Sequence, residues 1–125
     1  MIPEDLLYSE EHEWVRLDED IATIGITDFA QDQLGDIVYV ELPAVGDRVD
    51  AGSVVGELES TKSVSEIYAP ISGEVVARND ALDGGAEIIN SDPYGEGWLL
   101  RVRVLDEDPT AGLLEAEAYG ALTTD

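Results

Sequence analysis

The chain has 125 residues, 44% of them hydrophobic, enough for one domain with a real core and too many for wholesale disorder. Twenty-nine Asp and Glu against six Lys and Arg leave a formal charge of −23, so neither nucleic acid nor an anionic membrane surface is an expected partner, since both require clustered bases. The absence of cysteine removes disulfides, thiolate nucleophiles, Cys-based zinc sites and iron–sulfur clusters together.

In chain order, Met1-Ile2-Pro3-Glu4-Asp5 offers neither a basic start nor an apolar stretch. No secretory leader or transmembrane span is therefore expected, and the chain reads as soluble and cytoplasmic. Trp14 to Leu17 and Ile21 to Ile26 predict a hairpin around the acidic turn Asp18-Glu19-Asp20. Thr27 or Asp28 can cap a short helix from Phe29 to Leu34, which Gly35 would end. Asp36 to Leu42 is β-branched and aromatic and stops at Pro43. Val54 to Ser60, Val64 to Tyr68 and Gly73 to Arg78 read as further strands. Trp98 to Val104 alternates, with Arg101 and Arg103 on the solvent face. Asp108-Pro109 suits the start of a final helix over about 109–121, carrying Leu113, Leu114, Ala118 and Tyr119. Many short strands with a helix near each end predict a mainly β domain, a flattened barrel or sandwich of antiparallel sheets. Gly46 to Gly52 resembles Asn79 to Gly85 in turn chemistry and apolar placement, which would suit paired strand–turn units related by an approximate two-fold.

The acids are spread along the chain rather than gathered in a tail. Twenty-three uncompensated negatives repel one another in dilute buffer, and molar salt shrinks the screening length to ~3 Å. The pattern is read as adaptation to a salt-accumulating, halophilic cell.

Five of the six bases are arginine, and Lys62 is the only lysine. An amine that must form a covalent bond cannot be replaced by a guanidinium, which is never appreciably neutral. Lys62 lies in Ser60-Thr61-Lys62-Ser63, between two predicted strands, so the hairpin of about 54–69 would expose its amine at the tip. A tip provides no dry pocket for Schiff-base chemistry, and Glu57, Glu59 and Glu66 nearby favour the protonated amine. The residues alone leave a solvated surface lysine and a modified lysine both open.

Glu59-Ser60-Thr61-Lys62 followed by Ser65 to Glu74 closely resembles the lipoylation segment of glycine cleavage system H proteins. The likeness extends to Glu11-His12-Glu13-Trp14-Val15, Thr23 to Asp28, Ala30-Gln31, Leu34-Gly35-Asp36 and Val40-Glu41-Leu42-Pro43. It includes Asn90 to Tyr94 and Gly97-Trp98, and it covers about Tyr8 to Tyr119 in the family's order and spacing. Thr61 and Ser63 stand where Val and Ala are usual, and both are small enough for a modifying enzyme's site.

The resemblance implies a single lipoyl-domain-like barrel-sandwich hybrid spanning 1–125 and a carrier rather than an enzyme. It implies lipoate in amide linkage to Lys62. The arm would shuttle the aminomethyl group of glycine from a pyridoxal-phosphate decarboxylase (P protein) to a tetrahydrofolate aminomethyltransferase (T protein). A dihydrolipoyl dehydrogenase (L protein) would reoxidise it, and a separate enzyme would attach the lipoate. It further implies that Glu13 and Glu66 hold the loaded arm in a surface cleft, where the residues alone show two of many solvated acids. The free chain is expected to be a monomer.

Rival readings are a lipoyl carrier of another pathway, in 2-oxoacid oxidation, lipoate relay or sulfur metabolism, and an acidic metal-binding or structural module. Biotin carriage would be expected to place Met on both sides of the lysine, where Thr61 and Ser63 stand. Asp18-Glu19-Asp20 and Asp80 to Gly85 lack calcium-loop spacing and read as turns. His12 has no second ligand and reads as a packed, hydrogen-bonded histidine. Asn90 to Trp98 reads as a structural loop anchoring Trp98.

Overall fold

The computed structural model describes residues 2–105 and 112–123. The described residues form nine strands: β1 (Leu7–Tyr8), β2 (Glu13–Asp18), β3 (Ile21–Ile26), β4 (Ile37–Glu41), β5 (Arg48–Val49), β6 (Val54–Ser60), β7 (Val64–Tyr68), β8 (Gly73–Arg78) and β9 (Leu100–Val104). The helices are α1 (Asp28–Leu34), α2 (Ile88–Ser91) and α3 (Ala116–Thr123), with a 3-10 turn at Asp80–Leu82. The strands form two antiparallel sheets, six-stranded in the order β1-β2-β3-β9-β8-β5 and three-stranded in the order β4-β6-β7. This is the expected mainly β sandwich, with two open sheets.

Period-two alternation sets the two faces of each sheet. Val15, Ala22, Ile24 and Val102 from the large sheet meet Ile37, Val40, Leu58 and Ile67 from the small one, and all are buried in one core between the layers. Residues that alternate with them on β2 and β9, such as Arg16, Arg101 and Arg103, face solvent. A second cluster lies on the other side of the large sheet, where Leu6, Tyr8, Trp14 and Tyr119 pack together, with Tyr94 and Trp98 against them. Trp14 is opposite Gly25 on β3, and a Cβ at Gly25 would fall 2.6 Å from the indole. Glycine is required there because the ring lies on the neighbouring backbone.

Each predicted strand is found within a residue or two of its expected ends. Thr27 is the N-cap of α1 and accepts from the Ala30 N–H at 3.1 Å, while Gly35 closes the helix at φ +84, a conformation that suits glycine.

Two expectations are corrected. The final helix begins at Ala116 rather than near 109. Leu114 is extended and exchanges both backbone hydrogen bonds with Tyr8, at 2.7 and 2.8 Å. Pairing with the open edge of β1 satisfies those groups better than a lone helical turn, and Gly112 at φ +85 interrupts helical geometry just before it. The Asp108-Pro109 start lies outside the described residues. The internal similarity does not become a structural repeat either. Residues 46–52 contain strand β5, whereas 80–82 form the 3-10 turn capped by Asn79. Val49 and Leu82 are both buried, so the likeness records where a side chain enters the core and not the backbone path.

Candidate functional site

The lysine hairpin consists of β6 and β7, with Glu59 opposite Val64 and the loop Ser60 to Ser63 between them. Ser60 builds the loop: its hydroxyl accepts from the backbone N–H of Lys62 at 3.1 Å and of Ser63 at 3.0 Å. The Thr61 N–H donates to the Asp36 carbonyl at 3.0 Å, which fastens the tip to the turn after α1. Lys62 is exposed at this tip, as expected. Among the described residues no carboxylate pairs with it. A primary amine so placed is open to acylation by another enzyme.

The side chain does not project freely. It lies across Gly35, where an added Cβ would fall 3.0 Å from the Lys62 Cε. Asn90 of α2 holds that platform in place. Its side-chain amide donates to the Gly35 carbonyl at 2.8 Å and to the Gln31 Oε1 at 2.9 Å, and its Oδ1 accepts from the Ile37 N–H at 2.8 Å. The turn under the lysine is therefore clamped from a segment 55 residues away. Gly35→Ala is expected to lose about 1 kcal/mol or more of stability, because φ +84 strains any side chain, and to displace the lysine, which changes the rate at which a small acylating reagent modifies its amine. Thermal melts and acylation kinetics on the same samples check both. An acylation rate equal to wild type would remove the platform role.

Glu13, at the start of β2, is 2% exposed. The Ser9 hydroxyl donates to its Oε1 at 2.5 Å, and the Tyr68 backbone N–H points to its Oε2 at 3.4 Å. It lines an open depression of about 420 Å³ with Ser9, Glu11, Tyr68 and Leu113. Glu66 is exposed on β7, opposite Glu57, and does not line that depression. The two acids meet only through Tyr68, whose backbone N–H faces Glu13 and whose hydroxyl lies 3.4 Å from the Glu66 carboxylate. Neither acid is hydrogen-bonded or ion-paired to Lys62.

Burial pushes the Glu13 carboxyl up to about 7; hydrogen bonds from Ser9 and Tyr68 oppose the rise and the nearby Glu11 adds to it. In the unfolded chain the same group titrates at its ordinary value of 4.5. Its contribution to stability is therefore complete below that value and is lost as pH rises through about 7. Glu13→Gln removes the titration. The stability of wild type relative to Glu13→Gln is expected to fall by about 3 kcal/mol between pH 4 and pH 8. Denaturant melts of both proteins across that range measure it, and a constant difference would contradict it.

His12 is the packed histidine expected from the sequence. Its Nδ1 lies 2.8 Å from the Tyr119 hydroxyl, and burial holds the imidazole below its ordinary value. Tyr119 also lies 2.7 Å from Thr27, so α3 is tied to the N-cap of α1. Of the Asn90 to Trp98 segment read as a structural loop, Asn90 and Ser91 instead end α2, while the rest is structural: Trp14 donates to the Pro93 carbonyl, and Asn79 donates to the carbonyls of Glu96 and Trp98. No group of acids and histidine that could hold a metal is found among the described residues; Asp18 ends β2 and Glu19-Asp20 is the turn after it, while Asp80 to Leu82 is the 3-10 turn and Asp83 to Gly85 a further turn. No described helix is long and apolar enough to cross a membrane.

Sequence reading missed Ser60, Gly35, Asn90 and Tyr68 as parts of the site. Gly35 carried a signal, as a helix stop two residues before a strand. Asn90 belonged to a segment of the resemblance, but nothing local tied it to the lysine, because its partners are remote in the chain.

The glycine cleavage H-protein family model matches residues 6–125. The glycine cleavage system H protein of Listeria monocytogenes serotype 4b is 55% identical over 118 residues, 94% of each chain. That of Beutenbergia cavernae is 54% identical over 124 residues, 98% of this chain and 97% of its own. The crystal structure of a glycine cleavage system H protein from Mycobacterium marinum superposes with a TM-score of 0.88 at 41% identity, covering 96% of this chain and 97% of that one. Matched in sequence along nearly its whole length and in fold to a solved member, the chain belongs to the glycine cleavage H-protein family.

Proposed function

We propose that this chain is the lipoyl carrier of the glycine cleavage system, with lipoate joined by an amide to Lys62. It moves the aminomethyl group of glycine from the pyridoxal-phosphate decarboxylase to the tetrahydrofolate aminomethyltransferase, and dihydrolipoyl dehydrogenase restores its disulfide. The observation that carries this reading is the chain's single lysine, exposed at a hairpin tip with its alkyl stem over Gly35. A cradle that a Cβ would fill, beneath an amine with no carboxylate partner among the described residues, fits a lysine acylated from outside. Lipoate supplies the two sulfurs that a cysteine-free chain lacks.

The chain's own residues position and shelter; they supply no catalytic group. Ser60 and the Asp36 carbonyl hold the tip, and Gly35 and Asn90 support the lysine stem. Glu13 and Glu66 hold the ammonium end of the loaded arm by charge-assisted hydrogen bonds. Their common contact with Tyr68 supports the pairing. We place the protein in the cytoplasm of a salt-accumulating cell, on the strength of its charge.

Reconstitution tests the reading. With decarboxylase, aminomethyltransferase, dihydrolipoyl dehydrogenase, glycine, tetrahydrofolate and NAD, the lipoylated chain is expected to support continuous NADH formation. Support for a 2-oxoacid dehydrogenase instead would assign it to another pathway. Replacing both Glu13 and Glu66 with Gln is expected to leave attachment intact and to speed ammonia release from the loaded protein severalfold when the transferase is absent. An unchanged release rate at matched salt would place the arm elsewhere.

A further inference from the structure

Bases are scarce in this chain, and where the five arginines lie is informative. Arg48 pairs with Asp50, Arg78 with Asp80 and Asp83, and Arg103 with Asp20 and Glu74. Arg16 and Arg101 pair with no carboxylate among the described residues, although acids outnumber bases 29 to 6.

These two arginines are aligned. Arg16 on β2 is directly opposite Thr23 on β3, and Thr23 is directly opposite Arg101 on β9. They form one row across three neighbouring strands on the outer face of the large sheet, their Cα atoms roughly 10 Å apart at two strand spacings. Each guanidinium is braced by an indole. The Arg16 Cζ lies 5.1 Å from the Trp14 ring centroid and the Arg101 Cζ 4.2 Å from that of Trp98. Arg16 also donates to the Tyr94 carbonyl at 3.1 Å, and Arg101 is 3.4 Å from the Thr23 hydroxyl. Bracing of this kind lowers the ordering cost of a later contact, and most of the five donors on each fork remain available.

The row floors an open depression of about 590 Å³, closed at one end by Asp18 at the end of β2 and by Glu19 and Asp20 of the turn that follows it. The surface is therefore two-signed. Two cationic forks stand beside a short acidic rim, and the acids would repel any anionic segment that ran past the row.

We propose that the Arg16–Thr23–Arg101 row is a docking surface for an acidic patch on one of the enzymes that exchange the carrier. The fitting partner presents two carboxylates to the two guanidiniums and a basic side chain to the Asp18 to Asp20 rim. Braced arginines beside tryptophan are the residue types that carry interface energy. The face points away from the core that joins it to the lysine sheet, so an enzyme held here leaves Lys62 free for attachment or transfer. In low-salt buffer a second copy of the chain fits less well, because two bodies of −23 repel across the whole contact.

This docking rests on the carrier reading, and its test separates the two. The full-length lipoylated chain is titrated, in low-salt buffer, with each of the three partner enzymes, while the side-chain Nε–H signals of Arg16 and Arg101 are followed. At least one enzyme is expected to perturb both signals. The Arg16→Gln/Arg101→Gln variant is expected to weaken its binding by about fivefold or more, with lipoate attachment at the wild-type rate as the control for folding. Binding weakened by less than that, or signals unmoved by all three enzymes, would overturn the docking. Saturation of the signals by inorganic phosphate alone would assign the row to a small oxyanion and overturn it too. So would a dimer lost in the double variant, seen by sedimentation. Failure of attachment and turnover in wild type would strike the carrier reading; normal turnover with an unaffected double variant would strike only the docking.

Discussion

Lys62→Arg is expected to reduce lipoate attachment and glycine cleavage to background. The substitution keeps the positive charge and nearly the length of the side chain, and the hairpin does not depend on the amine. Ser60 and Thr61 hold the tip through backbone groups and one serine hydroxyl, so the variant should fold and melt as wild type does. What it removes is the nucleophile, since a guanidinium is not acylated under conditions that acylate an amine. No second lysine can substitute. Loss of turnover with unchanged melting would therefore isolate the chemistry at Lys62 from any structural effect. Residual multiple turnovers by the variant would show that the transferred group rides elsewhere.

The second large effect is on stability. The melting temperature is expected to rise by about 10 °C or more between dilute buffer and molar KCl, corresponding to about 2 kcal/mol or more for a domain of this size. Only Arg48, Arg78 and Arg103 make ion pairs among the described residues, all at partly exposed sites. Such pairs are worth about 0–1 kcal/mol each, so screening them costs little. The remaining acids repel one another. Glu57 lies between Glu41 and Glu66 in adjacent strands of the lysine sheet, and like charges directly opposite destabilise a sheet. Molar salt cuts the range of that repulsion to ~3 Å. A melting temperature indifferent to KCl would remove the proposal of a salt-accumulating cell while leaving the carrier reading intact.

How much was legible in the sequence depended on the range of the interactions. The acidic turn and β-branched runs located β2 and β3, and alternation located β9, whose Leu100 and Val102 are buried between exposed arginines. Local capping chemistry located α1, through Thr27 and Gly35. Lys62 stood out because only one lysine exists and its loop is short and polar. The α3 start was misplaced because Leu114 takes its partners from Tyr8, more than a hundred residues earlier. The Asn90 clamp and the Glu13–Tyr68 contact were hidden for the same reason, since both join segments far apart in sequence. The burial that sets the Glu13 protonation likewise depends on the closing of one sheet over the other, which no local pattern records.

The central claim is that Lys62 carries the group through which glycine carbon is moved. Intact mass and peptide mapping of the chain, isolated from its own cells and then incubated with the decarboxylase and glycine, test it most directly. The expected result is a lipoyl amide on the peptide containing Lys62, with a further aminomethyl increment on that peptide after incubation. An unmodified Lys62, a biotinyl amide there, or an increment on any other peptide would contradict it.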